Sequence, residues 1–266
     1  MRRSIVASVV LVLALSACGS GKQSAVALVA GSTEEAFIAG SARIVGHATL
    51  TRHGEHITVP LNGVTDFQSG AADLKVDIRA MGLGGRGTVV EARVLDRVMY
   101  MDFGALLRGR RLPSAFHGKR WVKMDLRKLG VSGSDSTMNT SSLLESLRGA
   151  GDVRRVGTEK IRGVETTHFV ARIDVRAAVS KINDRRLRAL AKKGLAMMGD
   201  TFPMNVWLDE DGRPRRMALE FSLKGASMSE TVDYVDFGVD AYVVAPPKSQ
   251  TIDIAELRSS ADTSTN

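Results

Sequence analysis

Between Arg43 and Val244 the apolar residues recur mostly at every second position, in runs of five to ten broken by short polar turns. Leu74, Val76, Ile78 and Ala80 alternate strictly with Lys75, Asp77 and Arg79. Ile44, Gly46, Ala48 and Leu50 alternate with Val45, His47 and Thr49, and after His53-Gly54 the run Ile57, Val59, Leu61, Val64 follows. A period of two places one set of side chains on each face of a strand, so these runs predict an antiparallel meander with one apolar face. Further strands are expected over 88–95, 98–103, 119–126, 153–160 and 165–173. After Pro203 come 204–208 and a return strand beyond the Asp211-Gly212 hairpin, then a last pair over 230–237 and 239–244. About ten strands are too many for a flat open sheet, so the expected class is α+β: a strongly curved antiparallel sheet with helices covering its concave face.

Three stretches break the pattern. Ser32 or Thr33 with Glu35 suggests a short helix through Ala42, and Ser142-Leu143-Leu144-Glu145 is a capping box that opens another through Leu147. Asp174 to Met198 reads best as two amphipathic helices divided at Asn183-Asp184. Val175, Ala178, Val179 and Ile182 form the first stripe, and Leu187, Leu190, Ala191, Gly194 and Met198 the second. Arg185, Arg186, Arg188, Lys192 and Lys193 lie opposite. Pro246-Pro247 ends the sheet, and Ile252 to Leu257 is expected to dock.

The N-terminus carries a different message. Arg2 and Arg3 precede an apolar run from Ile5 to Leu15, which leads to Leu15-Ser16-Ala17-Cys18. A basic end, a short apolar core and a small-residue site describe an export signal; a spanning helix would need roughly 20 apolar residues. Leu-Ser-Ala-Cys resembles the bacterial lipobox, in which the cysteine thiol takes a diacylglycerol and cleavage follows just before it. Cys18 is the sole cysteine, so no disulfide competes for it. The expected organisation is a signal over 1–17, a flexible tether over 18–33, a binding domain over 34–257 and a polar tail over 258–266. Two acyl chains on Cys18 would hold the protein at the outer face of the cell membrane.

The formal charge is +8; Arg2 and Arg3 leave with the signal, so +6 remains. That excess favours anionic lipid or cell-wall polymer, and an exported, tethered chain is not expected to meet nucleic acid.

Catalytic and cofactor motifs are weak. Gly82-Leu83-Gly84-Gly85-Arg86-Gly87 spells a dinucleotide fingerprint, but Thr88-Val89-Val90-Glu91-Ala92-Arg93 after it is strand-like, and a pyrophosphate loop must open a helix. His53-Gly54-Glu55-His56 and Asp209-Glu210-Asp211 read as turns, lacking the spacing of a zinc helix or calcium loop. No nucleophile elbow is present. The expectation is a non-enzyme without cofactor or metal.

Several segments in order resemble one family. They are Lys119-Arg120-Trp121-Val122-Lys123-Met124-Asp125, the hairpin 156–169, Val206-Trp207-Leu208-Asp209-Glu210-Asp211-Gly212-Arg213-Pro214, and Tyr234-Val235-Asp236-Phe237-Gly238. With the lipobox, they make the chain similar to the LolA/LppX-like lipoproteins of high-GC Gram-positive (actinobacterial) organisms. The resemblance implies a half-barrel around a hydrophobic cavity that carries lipid or lipoglycan acyl chains. Methionine suits such a surface because it adapts its shape. Candidate cavity residues are Met99, Met101, Leu144, Leu147, Val179, Ile182, Leu187, Leu190, Met198, Val206, Leu208, Met217, Leu219 and Phe221; candidates for the head group are Arg185, Arg188 and Lys192. The alternative is a scaffold lipoprotein that engages cell-wall polymer or a protein partner through its basic surface.

Overall fold

A computed structural model describes residues 24–79, 88–106, 116–127, 147, 152–174, 188, 201–223 and 225–257. A helix, α1 (Ala25–Ala39), precedes six strands: β1 (Ser41–Arg52), β2 (Glu55–Asp66), β3 (Ala72–Asp77), β4 (Val89–Leu95), β5 (Val98–Asp102) and β6 (Trp121–Asp125). One helical turn, α2 (Phe103–Leu106), lies between the last two. Then come β7 (Asp152–Ile161), β8 (Val164–Asp174), β9 (Thr201–Leu208), β10 (Pro214–Leu223), β11 (Ala226–Phe237) and β12 (Thr251–Asp253).

All twelve form one open sheet in the order β12-β6-β5-β4-β3-β2-β1-β11-β10-β9-β8-β7. It consists of two meanders, β1 to β6 and β7 to β11, joined along an antiparallel seam between β1 and β11. The expected curved antiparallel sheet is therefore present, with one departure: β12 runs parallel to β6.

Two glycines reveal how sharply the sheet bends. A Cβ on Gly63 would lie 2.0 Å from the Asp73 carbonyl oxygen and 2.9 Å from Leu74 Cα. A Cβ on Gly46 would lie 2.4 Å from the Thr231 carbonyl oxygen. Both glycines face inward, in register with Ile44 and Val232. Adjacent strands of a flat sheet stand about 4.8 Å apart and leave room for every Cβ. Here the neighbouring backbone closes over the inner face, so only glycine fits.

The curl gathers one core from distant strands. Ala42, Ile44, Phe169, Ala171, Met204, Val206, Leu208, Met217, Val232 and Tyr234 form a buried cluster with Val29 and Ala36 of α1 and with Leu147. The helix is capped by Ser24, whose side chain accepts from the Ala27 N–H at 3.1 Å, and by Gly40 at φ 77°. Its buried side chains, Val29, Ser32, Thr33 and Ala36, are small, which lets its backbone lie close against the sheet.

That helix corrects the tether boundary at Thr33: residues 25–33 are its first turns. Their Ala, Gly and Ser content looks like a linker, yet alanine is the strongest helix former and a small-residue face packs tightly. The expected strand over 239–244 is also corrected. Both edges of β11 are occupied, by β1 and β10, so this segment has no ladder to join. It runs instead over the outer face as a strap. The Ser41 hydroxyl donates to Val239 O at 2.5 Å, Arg93 donates to Val244 O at 3.0 Å, and the Arg120 N–H donates to Gln250 O at 3.1 Å. Beyond the strap, β12 buries Ile252 against Val122 and Phe116.

Pro203 lies inside β9, where a proline should cost a ladder bond. Pairing of β9 with β10 begins at Met204, one residue after the proline, so no partner is lost on that side. The hairpin turns match the sequence. His53 and Gly54 take φ 52° and 82°, and Gly212 takes φ 78° above an Asp209 carboxylate that accepts from the Asp211 and Arg213 N–H groups. Thr88 leads into β4, so the glycine run before it opens no helix. The tail expected over 258–266 and the helices expected over 142–147 and 174–198 lie outside the described residues, apart from Leu147, Asp174 and Arg188.

Candidate functional site

The inner face of β2, β1, β11 and β10 can be read as cross-strand rows. Farthest from α1, Ile57, Leu50, Met228 and Phe221 stand side by side. The next row is Val59, Ala48, Glu230 and Leu219, and the third is Leu61, Gly46, Val232 and Met217. Below them Gly63, Ile44 and Tyr234 reach the floor.

Burial changes along this axis. Ile44, Met217, Val232 and Tyr234 are buried, whereas Ile57, Val59, Ala48, Leu219, Phe221 and Met228 are half-buried and Leu50 is 38% exposed. The lower end is sealed by an aromatic cluster: Phe67 lies 5.9 Å from Tyr234 and 6.4 Å from Phe237, with Tyr234 and Phe237 stacked at 6.3 Å. The result is an apolar trough, plugged at one end by α1 and these rings and lined at the other by partly exposed hydrocarbon.

Glu230 is the sole charged side chain in these rows. Its cross-strand partners are Ala48 and Leu219, and burial pushes its carboxyl above the usual carboxylate range. The Tyr234 hydroxyl, buried and directed at Met217 Sδ at 3.2 Å, is also pushed upward, first by burial and then by the charge of Glu230.

The opposite face of the same strands is polar. Asp233, 5% exposed at its side chain, accepts from Arg216 Nε at 2.5 Å and Arg162 Nε at 2.8 Å. Burial alone would raise the Asp233 carboxyl, but the two guanidiniums hold it below its ordinary value. Trp207 stacks on His168 at 4.2 Å, donates to Glu159 at 2.5 Å and lies under Arg216. These contacts brace the wall from behind.

A depressed carboxyl stabilises the fold above the unfolded value and loses that contribution as pH falls through the folded one. Asp233→Asn should therefore cost about 2 kcal/mol at neutral pH, the partial exposure of both arginines keeping it below a fully buried pair. The difference between wild type and variant should begin to shrink as pH falls below about 4 and should close only below the depressed value of the folded protein. Urea denaturation at several pH values checks both.

The sequence candidates divide among these regions. Leu219 and Phe221 line the partly exposed trough. Val206, Leu208, Met217 and Leu147 are buried in the core beneath it. Met99 is buried with Ala72, Val94 and Leu126, and Met101 packs against that group. Arg188 is helical and exposed. Cys18, Leu144, Val179, Ile182, Arg185, Leu187, Leu190, Lys192 and Met198 lie outside the described residues. Leu50, Ile57, Met228 and Glu230 are not among the sequence candidates for the cavity; their in-register alternation with Ile44 and Val232 is the available signal. Among the described residues, no three His, Cys, Asp or Glu side chains gather as a metal site would require, and no helix is long and apolar enough to cross a membrane.

No family model matches the chain. It is 28% identical over 212 residues to an uncharacterized 31.2 kDa protein of Streptomyces griseus, covering 73% of this chain and 68% of that one. It is 26% identical over 182 residues to a protein of Streptomyces coelicolor named as a lipoprotein, covering 65% of this chain but 54% of that one. Among solved structures it is similar to the lipoprotein LppX of Mycobacterium tuberculosis, with 15% identity and a TM-score of 0.47 over 80% of this chain and 98% of that one. LprF of Mycobacterium bovis follows at 14% identity and a TM-score of 0.42, over 84% and 96%.

Proposed function

We propose that this chain is a membrane-anchored, extracytoplasmic lipoprotein of LolA/LppX type that binds and carries the acyl chains of a lipid or lipoglycan along its apolar inner face. One observation supports the reading most: two rows of side chains on a concave wall, apolar but for Glu230, stay partly uncovered while the far end is sealed by aromatics. Each methylene buried there is worth about 0.8 kcal/mol, so a wall of this kind can hold a lipid without a catalytic group. The anchor rests on Leu15-Ser16-Ala17-Cys18.

Native mass spectrometry of the full-length protein from its own host tests the proposal. Non-covalent lipid should accompany the folded protein, and protein that is lipid-free and indifferent to added lipid would overturn it. Cys18→Ser should release the protein from the membrane fraction; unchanged fractionation would remove the anchor.

A scaffold role is favoured by a different feature. On the outer face beside the strap, an open hollow of about 300 Å3 is lined by Arg43, Asn62, Asp73, Lys75 and Tyr242, whose ring is 84% exposed. Retention on cell-wall glycan by protein devoid of lipid would favour this second reading.

A further inference from the structure

Glu230 sits where a carboxyl has no obvious reason to be. It is in the second row of the trough, between Ala48 on one side and Leu219 on the other, with Met228 above and Val232 below. Facing it from β1, β2, β9, β10 and β11 are aliphatic, aromatic and thioether groups, and a titratable side chain that these strands place on the same face is Tyr234, four residues along β11. The Tyr234 hydroxyl is already directed at Met217. Asp233 and Arg216 lie on the other side of the sheet and pair with each other there. A carboxyl held against hydrocarbon is costly unless something hydrogen-bonds to it. A bare alkyl chain along the trough would remove the remaining water from Glu230 and return nothing.

We propose that Glu230 is the polar contact of the trough and receives a free hydroxyl of the cargo, so that the preferred ligand is a lipid with a free hydroxyl beside its acyl chains rather than a fully esterified one. This inference rests on the carrier reading. A hydroxyl suits the position because it both donates and accepts, and so satisfies a carboxyl in either protonation state. The partly exposed row above, Ile57, Leu50, Met228 and Phe221, would then take the chains, with the hydroxyl at the depth of Glu230.

The test compares 1,2-dioleoylglycerol with its 3-O-methyl ether, which has the same chains and a blocked hydroxyl. Full-length protein is incubated with phosphatidylcholine vesicles containing one or the other, re-isolated, and its lipid measured by mass spectrometry. Wild type should take up the free alcohol with a preference of about tenfold, the effect of one desolvated group gaining or losing its partner. Glu230→Leu should bind both lipids with the preference gone, and Glu230→Gln, whose amide also donates and accepts, should retain it. Melting curves establish that each variant is folded. Equal uptake of the two lipids by wild type, or an unchanged preference in Glu230→Leu, would overturn the role of Glu230 while leaving the carrier reading intact. Uptake of neither would remove the carrier reading itself.

Discussion

Gly63→Val should lower the melting temperature by about 10 °C or more, a loss of roughly 3 kcal/mol or above for a domain of this size. The first added carbon would sit 2.0 Å from the Asp73 carbonyl oxygen, and the next nearest atom is Leu74 Cα at 2.9 Å. Both belong to backbone, so neither can swing aside as a side chain could, and the β2–β3 ladder must open. Gly46→Val should behave similarly through Thr231 O at 2.4 Å. Gly31→Ala supplies the contrast. Gly31 is exposed in the middle of α1 with nothing within 4 Å of its added carbon, so this variant should gain about 0.5–1 kcal/mol. Thermal melts of the three proteins decide the matter. Similar stability for Gly63→Val and wild type would mean that the sheet is flatter than described.

The second large effect concerns the trough. Leu50→Asp combined with Phe221→Asp should abolish lipid uptake, lowering retained lipid by about a hundredfold or more, because two charges would have to be stripped of water as each chain entered. Leu50 is already 38% exposed and Phe221 half-buried, so the fold should tolerate the pair far better than a charge at Ile44 or Val232. Mass spectrometry after vesicle incubation reads the lipid, and circular dichroism reads the fold. Undiminished lipid in a folded double variant would place the cargo elsewhere on the molecule.

The sheet was legible in the sequence because a period of two survives wherever one face is apolar. Ile44 to Leu50, Ile57 to Leu61 and Leu74 to Val76 all fall on strands with the expected faces. What failed to show were decisions made by partners far along the chain. Val239 to Val244 has strand composition, yet pairing depends on a free edge, and β1 and β10 had taken both edges of β11. Ile252 to Leu257 is expected to dock, but the parallel pairing of Thr251–Asp253 with β6 is a property of where the strap delivers them. The site suffered in the same way. Methionine and leucine content pointed to an apolar lining, but composition cannot divide Met217, packed beneath the trough, from Met228, half-buried at its rim. Glu230 reads as one polar residue in a strand of alternating character until Ala48 and Leu219 are placed beside it.

The seam between β1 and β11 has a consequence for how the chain reaches this state. Arg43 and Asp236, which meet across it, are separated by 193 positions. The first meander can assemble early from local hairpins, but its innermost strand keeps one side unsatisfied until nearly the whole polypeptide has emerged. Ladders closed over such separations form slowly, because the entropy of a long loop is lost before any contact repays it. During that interval the bare margin of β1 is a place where a second molecule could pair, so a chaperone that delays collapse should raise the yield of refolded monomer more than one that accelerates it.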